Sequence, residues 1–171
     1  MTLYTTYFGG LGSLVHPDDG DLVLGVVRYP KDFVLRVTDR NVPAVAPPDD
    51  LLNAFKTVEE AGDRDGVANP SAAAWRTVNF EDRYRDHLDG AGQQQVLDEL
   101  RDRAEYRNVW LVCWEKNPRY CHRHVLADVL ADDLDVEVSH HPDPSDLDEP
   151  TDEQDGPELA SLTEFSGGET A

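Results

Sequence analysis

Lysine, cysteine and long apolar runs are scarce in this sequence, and each scarcity excludes a class of protein. The 171 residues include three lysines and two cysteines, and two cysteines cannot form the disulfide framework of a small secreted domain. No segment approaches the roughly 18 consecutive apolar residues of a membrane-spanning helix. The opening stretch MTLYTTYFGG lacks the basic and apolar regions of a signal peptide. We therefore expect a cytoplasmic protein with no membrane association.

Acidic residues are abundant, with 35 Asp and Glu against 15 Lys and Arg, which gives a formal net charge of −20. At about 1 M salt the Debye length is roughly 3 Å, so surface carboxylates repel one another weakly and keep the protein hydrated. Aspartate is spread along the whole chain, which predicts a halophilic protein of haloarchaeal type; an acidic partner-binding protein is the alternative. The body has no basic stripe, so nonspecific nucleic-acid binding is not expected.

The composition changes near residue 142. Residues 142–171 contain ten acidic residues and no Lys or Arg, and such a segment buries too little apolar surface to offset the entropy of ordering. We predict one domain over residues 1–141 and a disordered acidic tail over residues 142–171.

Within the predicted domain, apolar strands alternate with amphipathic helices. The predicted strands are Leu3–Phe8, Leu22–Pro30, Asn108–Trp114 and Val136–His141, and the main predicted helices are Pro47–Gly62, Gly92–Arg107 and a helix beginning at Pro118 with Asn117 as its cap. Such alternation indicates a mostly parallel sheet with helices on both faces. The sequence thus predicts an α/β fold, a single three-layer Rossmann-like domain.

Residues that can carry chemistry follow the ends of the predicted strands. Ligands bind beyond the carboxyl ends of parallel strands, and these residues are expected at that edge: Arg28, Cys113, Glu115, Cys121, His122, Arg123 and His140. Cys121 is expected near the start of a helix beside basic residues, which lowers a thiol pKa. Cys113 ends an apolar strand, where burial raises the thiol pKa.

The leading hypothesis is a site for a small anionic or nucleotide-like ligand. The candidate catalytic residues are Cys121 as a reactive thiol, Glu115 as a base and Cys113 beside them. The candidate ligand-binding residues are Arg28, His122 and Arg123, since a helix N-terminus and arginine side chains attract anions.

Two alternatives stay open, and whether the protein is an enzyme stays open with them. In the first, Glu115 and Arg123 form a structural ion pair in a non-enzymatic binding or regulatory module. In the second, a metal ion binds among Cys113, Cys121, His122 and His124, of which at most three converge, because His122 and His124 point to different faces of a helix. The spacing is looser than in common zinc sites, so we assign no metal and no cofactor from the sequence.

The order Cys113, Glu115, Cys121, His122 and Arg123 also resembles a known family. The stretches CWE and CHR, with VSHH after them, resemble the family known as domain of unknown function 488 (DUF488), and LYTTYFGG, GVVRYP and WRTVNFEDRY resemble its other segments. The resemblance covers about residues 3–141. It implies a compact three-layer α/β fold and a shared polar cluster of Cys, Glu and Arg, but no established reaction.

Overall fold

The computed structural model describes residues 1–147. Most of the predicted tail, residues 148–171, lies outside the described residues, whereas Pro144–Asp146 form one 3-10 turn. The chain divides into two compact units, of which the first comprises residues 1–48 and 84–147 and the described part of the second comprises residues 49–83. None of the helices in residues 1–147 is long and apolar enough to cross a membrane.

The first unit contains a five-stranded sheet in which every pair of neighbouring strands is parallel. Its strands are β1 (Thr2–Tyr7), β2 (Leu22–Gly25), β3 (Arg40–Asn41), β4 (Val109–Cys113) and β5 (Glu137–His140), in the spatial order β3-β2-β4-β1-β5. All five residues of β4 are buried, because this strand lies in the middle of the sheet. The predicted α/β class with a mostly parallel sheet is confirmed.

Six helices are formed by the described residues: α1 (Val34–Val37), α2 (Asp49–Arg64), α3 (Pro70–Thr77), α4 (Phe80–Leu88), α5 (Ala91–Ala104) and α6 (His122–Ala131). Helix α6 packs against β1, β4 and β5. Side chains alternate across a strand, and the opposite face of β4 presents Trp110 and Val112 to Val15. The sheet thus has an apolar layer on each face.

Strand β2 ends earlier than its apolar run predicts. The predicted strand Leu22–Pro30 is a strand only over Leu22–Gly25. Beyond it the side chain of Asn41 takes over the hydrogen bonds of the ladder: its Oδ1 accepts from the Val27 amide at 3.2 Å and its Nδ2 donates to the Val27 carbonyl at 2.8 Å. The backbone of Val26 and Val27 is therefore fixed at the carboxyl edge without belonging to a strand.

The second unit is built on helices α2 and α3, which pack against each other. Its core is aromatic: Trp75 and Phe80 stack with ring centroids 4.2 Å apart, and Phe55 meets Phe80 edge-on at 5.6 Å. Asn69 caps α3 by accepting a hydrogen bond from the Ala72 amide at 3.0 Å.

The connection from β4 to α6 positions most of the candidate site. Asn117 is a cap as predicted, but of the single 3-10 turn Pro118–Tyr120 rather than of α6. The chain then becomes extended at Cys121 (φ −130°, ψ 136°), and α6 begins at His122 with Cys121 in the N-cap position. The Cys121 thiol therefore lies at the amino end of α6, beside the end of β4.

Candidate functional site

Four side chains, here called the thiol cluster, meet where β4 ends and α6 begins: Cys113, Glu115, Cys121 and His122. Glu115 Oε2 accepts from the Cys113 thiol at 3.2 Å and lies 3.4 Å from the Cys121 sulfur. His122 Nδ1 lies 3.7 Å from the Cys113 sulfur and 4.0 Å from the Cys121 sulfur. The sequence predicted all four as site residues, and the structure brings them into contact.

The His122 ring is held by a backbone group from another strand. Its Nε2 lies 2.7 Å from the carbonyl oxygen of Val26, which can only accept a hydrogen bond, so Nε2 carries a proton. Nδ1 consequently faces the two sulfurs. The edge-on ring of Tyr84 packs against His122 at 5.5 Å, and the Tyr84 hydroxyl donates to the Val45 carbonyl at 2.5 Å.

Arg123 is completely buried beside the cluster. Its guanidinium donates to the carbonyl oxygens of Glu115 and Lys116, the latter at 2.9 Å, and to Thr5 Oγ1 at 3.4 Å. The alternative of an ion pair with Glu115 therefore needs correction, because the guanidinium binds the Glu115 carbonyl while the carboxylate faces the thiols. Arg123 fixes the loop that carries Glu115.

Glu115 joins the cluster to the surface. The residue as a whole is exposed, whereas its carboxylate end lies against two buried sulfurs. Burial of that end, followed by the negative charge of Cys121, raises the pKa of the carboxyl group to about 7. Glu115 can therefore accept or release a proton close to neutral pH.

The two thiols have opposite acid strengths, as the sequence predicted. Burial and the neighbouring Cys121 raise the pKa of Cys113 well above its usual value. Burial also opposes ionisation of Cys121, but the hydrogen bond from Cys113 and the positive charges of Arg123 and His122 outweigh it and hold the pKa of Cys121 well below that of an ordinary thiol. Cys121 is thus the more acidic of the two thiols.

The pKa values of His122 and His140 are shifted in opposite directions by their surroundings. Burial alone would lower the pKa of His122, but the charge of Cys121 and the hydrogen bond to it raise that pKa. Burial and then the nearby His124 lower the pKa of His140. His140 Nδ1 lies 2.8 Å from Thr5 Oγ1, the hydroxyl that also contacts Arg123. Thr5 therefore links the end of β5 to Arg123.

The remaining predicted residues lie at the same edge but outside the thiol cluster. Arg28 is half-buried, two residues beyond Val26, and its part in ligand binding stays a prediction. His124 turns away from the sulfurs, with its Nδ1 2.9 Å from the Cys121 carbonyl oxygen. Among residues 1–147, the three side chains whose metal-binding atoms lie within 4.8 Å of one another are Cys113, Cys121 and His122.

An aromatic group, here called the aromatic rim, also lies at this edge and was not recognised in the sequence. Phe8 follows β1, Phe33 precedes α1 and Trp114 follows β4; their ring centroids are 4.7 to 5.6 Å apart. Trp114 is 38% exposed, and the Lys31 ammonium lies 5.4 Å from the centre of its ring. The sequence did contain one signal for this group, because Trp114 lies between Cys113 and Glu115 of the thiol cluster.

Comparison with known protein families identifies a matching family model. The family model DUF488-N3a, described as the active DUF488-N3 subclade, matches residues 8–134. No curated protein matches, and no solved structure matches.

Proposed function

The chain belongs to the DUF488 family, and on that premise we propose that it binds a small anionic, nucleotide-like ligand at the carboxyl edge of the sheet, where Cys121 acts as a reactive thiolate. The observation that carries the proposal is the placement of the Cys121 sulfur. It lies at the N-cap of α6, 3.4 Å from Glu115 Oε2 and 4.0 Å from His122 Nδ1. The match to the active DUF488-N3 subclade favours a chemical role over a purely structural one.

Each cluster member has a distinct role in this proposal. Cys121 is the nucleophile, and a thiolate is the reactive form of cysteine. Cys113 stays protonated and stabilises the thiolate by a hydrogen bond. Glu115 moves the proton, because its pKa of about 7 matches neutral conditions. His122 supplies positive charge beside the sulfur and next to the incoming anion.

The surroundings of the cluster support an anionic ligand that carries a flat ring. Trp114 and its neighbours in the aromatic rim offer a ring surface that is partly open to solvent, and aromatic side chains stack on nucleobases. Arg28 and Lys31 supply positive charge at the same edge. Arg123 acts through its charge and through the Glu115–Lys116 loop, because its three nitrogens already have partners.

Site-resolved alkylation of the metal-free protein across a pH range tests the thiolate. Cys121 should react with a small alkylating reagent well below pH 8.5, the usual pKa of a thiol, while Cys113 in the same sample stays unmodified. Cys113→Ala should slow the reaction of Cys121 at low pH by removing the donor that stabilises its thiolate. If Cys121 reacts only above about pH 8.5, the nucleophile assignment is wrong.

Thermal stabilisation by inorganic phosphate and by mononucleotides tests the anion site. A ligand present at 100 times its Kd stabilises the folded protein by about 2.7 kcal/mol, which is a measurable rise in Tm. Arg28→Ala should abolish the rise, whereas Arg36→Ala, which removes an exposed arginine on α1, should not. Equal stabilisation of both variants would exclude Arg28 from the site.

A specific observation also supports the non-enzymatic alternative. Arg123 is fully buried, and two of its nitrogens bond to backbone carbonyls of one loop, which is how a purely structural arginine is used. In this second candidate the thiol cluster only fixes the start of α6. An inert Cys121 together with a large loss of stability in Arg123→Ala would favour it.

A further inference from the structure

The thiol cluster contains four atoms of the types that bind zinc, and three of them, the two sulfurs and His122 Nδ1, lie close to one another. Two are sulfurs, one is an imidazole nitrogen and one is a carboxylate oxygen. The sulfur–oxygen distances are 3.2 and 3.4 Å and the sulfur–nitrogen distances are 3.7 and 4.0 Å. Both sulfurs and the nitrogen lie within 4.8 Å of one another.

These distances fit the edges of a zinc tetrahedron. With Zn–S bonds of about 2.3 Å and Zn–N or Zn–O bonds of about 2.0–2.1 Å, an ideal tetrahedron places sulfur about 3.6 Å from a nitrogen or oxygen ligand. The observed distances lie on both sides of that value and within about 0.4 Å of it. An ion between the two sulfurs and the nitrogen therefore requires only small movements of Cys113, Cys121 and His122, whereas the Glu115 carboxylate, which contacts both sulfurs, has to turn toward the ion to become the fourth ligand.

The orientation of His122 is a second, independent observation. Metal-binding histidines almost always donate the N–H of the other ring nitrogen to a carbonyl or carboxylate, which fixes the ring. His122 Nε2 does so to Val26 at 2.7 Å, so the nitrogen that faces the sulfurs can offer its lone pair when neutral. His124 differs, because its Nδ1 faces the Cys121 carbonyl at 2.9 Å.

Charge and access also suit a divalent cation. Zn²⁺ with two thiolates and one carboxylate carries one net negative charge, which the buried guanidinium of Arg123 balances. Cys113, Cys121 and His122 are at least 94% buried, whereas Glu115 reaches solvent. The carboxylate therefore marks the route by which an ion enters.

We infer that the thiol cluster binds one Zn²⁺ ion through Cys113, Cys121 and His122, with the Glu115 carboxylate turning in as the fourth ligand of a tetrahedral site. The metal binds the Cys121 sulfur, so Cys121 cannot act as a nucleophile in the zinc-bound protein and can do so in the metal-free protein. Binding displaces the proton of the Cys113 thiol and, when His122 is charged, the proton on its Nδ1. The metal site stands on its own geometry, while its regulatory meaning, a switch between closed and reactive states, rests on the proposed function.

Cobalt is the probe, since Co²⁺ takes the place of Zn²⁺ and is visible by absorption. Full-length protein stripped with a chelator, reduced and kept free of oxygen, is titrated with Co²⁺. We expect saturation at one equivalent, with intense visible bands of tetrahedral Co²⁺ and a sulfur-to-cobalt charge-transfer band, all abolished by one equivalent of Zn²⁺. Absence of the charge-transfer band, or weak bands of octahedral cobalt, would overturn the proposal.

Matched variants assign the ligands. His122→Gln and Cys113→Ser should weaken Zn²⁺ binding by more than about 100-fold, the upper end of the loss caused by removing an outer partner. His124→Gln, two residues away on the same helix, should leave the affinity unchanged. Equal affinities for His122→Gln and His124→Gln would contradict the assignment.

A measurement on the unsubstituted protein keeps the test valid if a cysteine variant does not fold. One equivalent of Zn²⁺ should protect Cys121 from alkylation at least tenfold relative to metal-free protein, and unchanged labelling would count against the site. Arg28→Ala separates the two proposals. It should lose anion binding but keep Co²⁺ binding, so failure of one leaves the other standing.

Discussion

Replacing Arg123 by alanine should destabilise the fold by about 5–8 kcal/mol, the sum of two losses. The first is the cavity left by a completely buried side chain, since large-to-alanine changes in a core cost about 2–5 kcal/mol. The second is the loss of three hydrogen bonds. The Glu115 and Lys116 carbonyls lie in an exposed segment, where water replaces the lost donors, so about 1 kcal/mol each is appropriate. Thr5 keeps His140 as a partner.

Urea denaturation in high-salt buffer measures this loss. At about 2–4 °C per kcal/mol for a chain of this size, Tm should fall by at least roughly 10 °C. Arg123→Met keeps the apolar stem and should lose less, about 2–3 kcal/mol, because the cavity is partly filled. Arg103→Ala removes an exposed arginine from α5 and should stay within about 0.5 kcal/mol of the unsubstituted protein. A loss below about 1 kcal/mol in Arg123→Ala would refute the reasoning.

Two further predictions concern pH and salt. The raised pKa of Glu115, about 7 against 4.5 for an ordinary glutamate, means that the folded state holds a proton that the unfolded state has released; stability should therefore fall as pH rises from about 4.5 to 7. Glu115→Gln should lack this part of the pH dependence, and parallel stability curves for the two proteins between those pH values would contradict the shift. The acidic composition predicts loosening of the fold in tens of millimolar salt, where the Debye length grows from roughly 3 Å to between 10 and 30 Å. Circular dichroism across a salt series checks this, and full native structure without added salt would exclude a halophilic protein.

The fold was largely predictable because its central strand carries a strong local signal. The uninterrupted apolar run of β4 is typical of a strand buried on both faces, and the structure buries all of it. The length of β2 was not predictable from its own residues. Its ladder ends where its two-residue neighbour β3 ends, and the Asn41 amide replaces the missing backbone groups. The residues of one strand do not determine how long the neighbouring strand is.

The candidate site was predictable where side chains carry it and not where the backbone does. The four residues of the thiol cluster lie within ten positions of one another in the sequence. Their spacing alone was therefore enough to predict that they meet. The carbonyl of Val26 belongs to an apolar residue 96 positions before His122, and no side-chain pattern marks it. Thr5 offered a weak signal, since a hydroxyl in a strand buried on both faces needs a polar partner.

Because the Val26 carbonyl orients the His122 ring, the reactivity of Cys121 reports on whether β2 has paired with β4. Its amide bonds to the Val112 carbonyl at 3.0 Å, so the Val26 carbonyl is in place only when β2 has joined β4 across more than 80 residues of chain. Until that long-range pairing forms, nothing selects which nitrogen of His122 faces the sulfurs. The four reactive groups are close together along the chain, but they acquire their mutual orientation only when β2 pairs with β4. During refolding, the distinct reactivity of Cys121 should therefore appear with the pairing of β2 and β4 and not with the formation of α6.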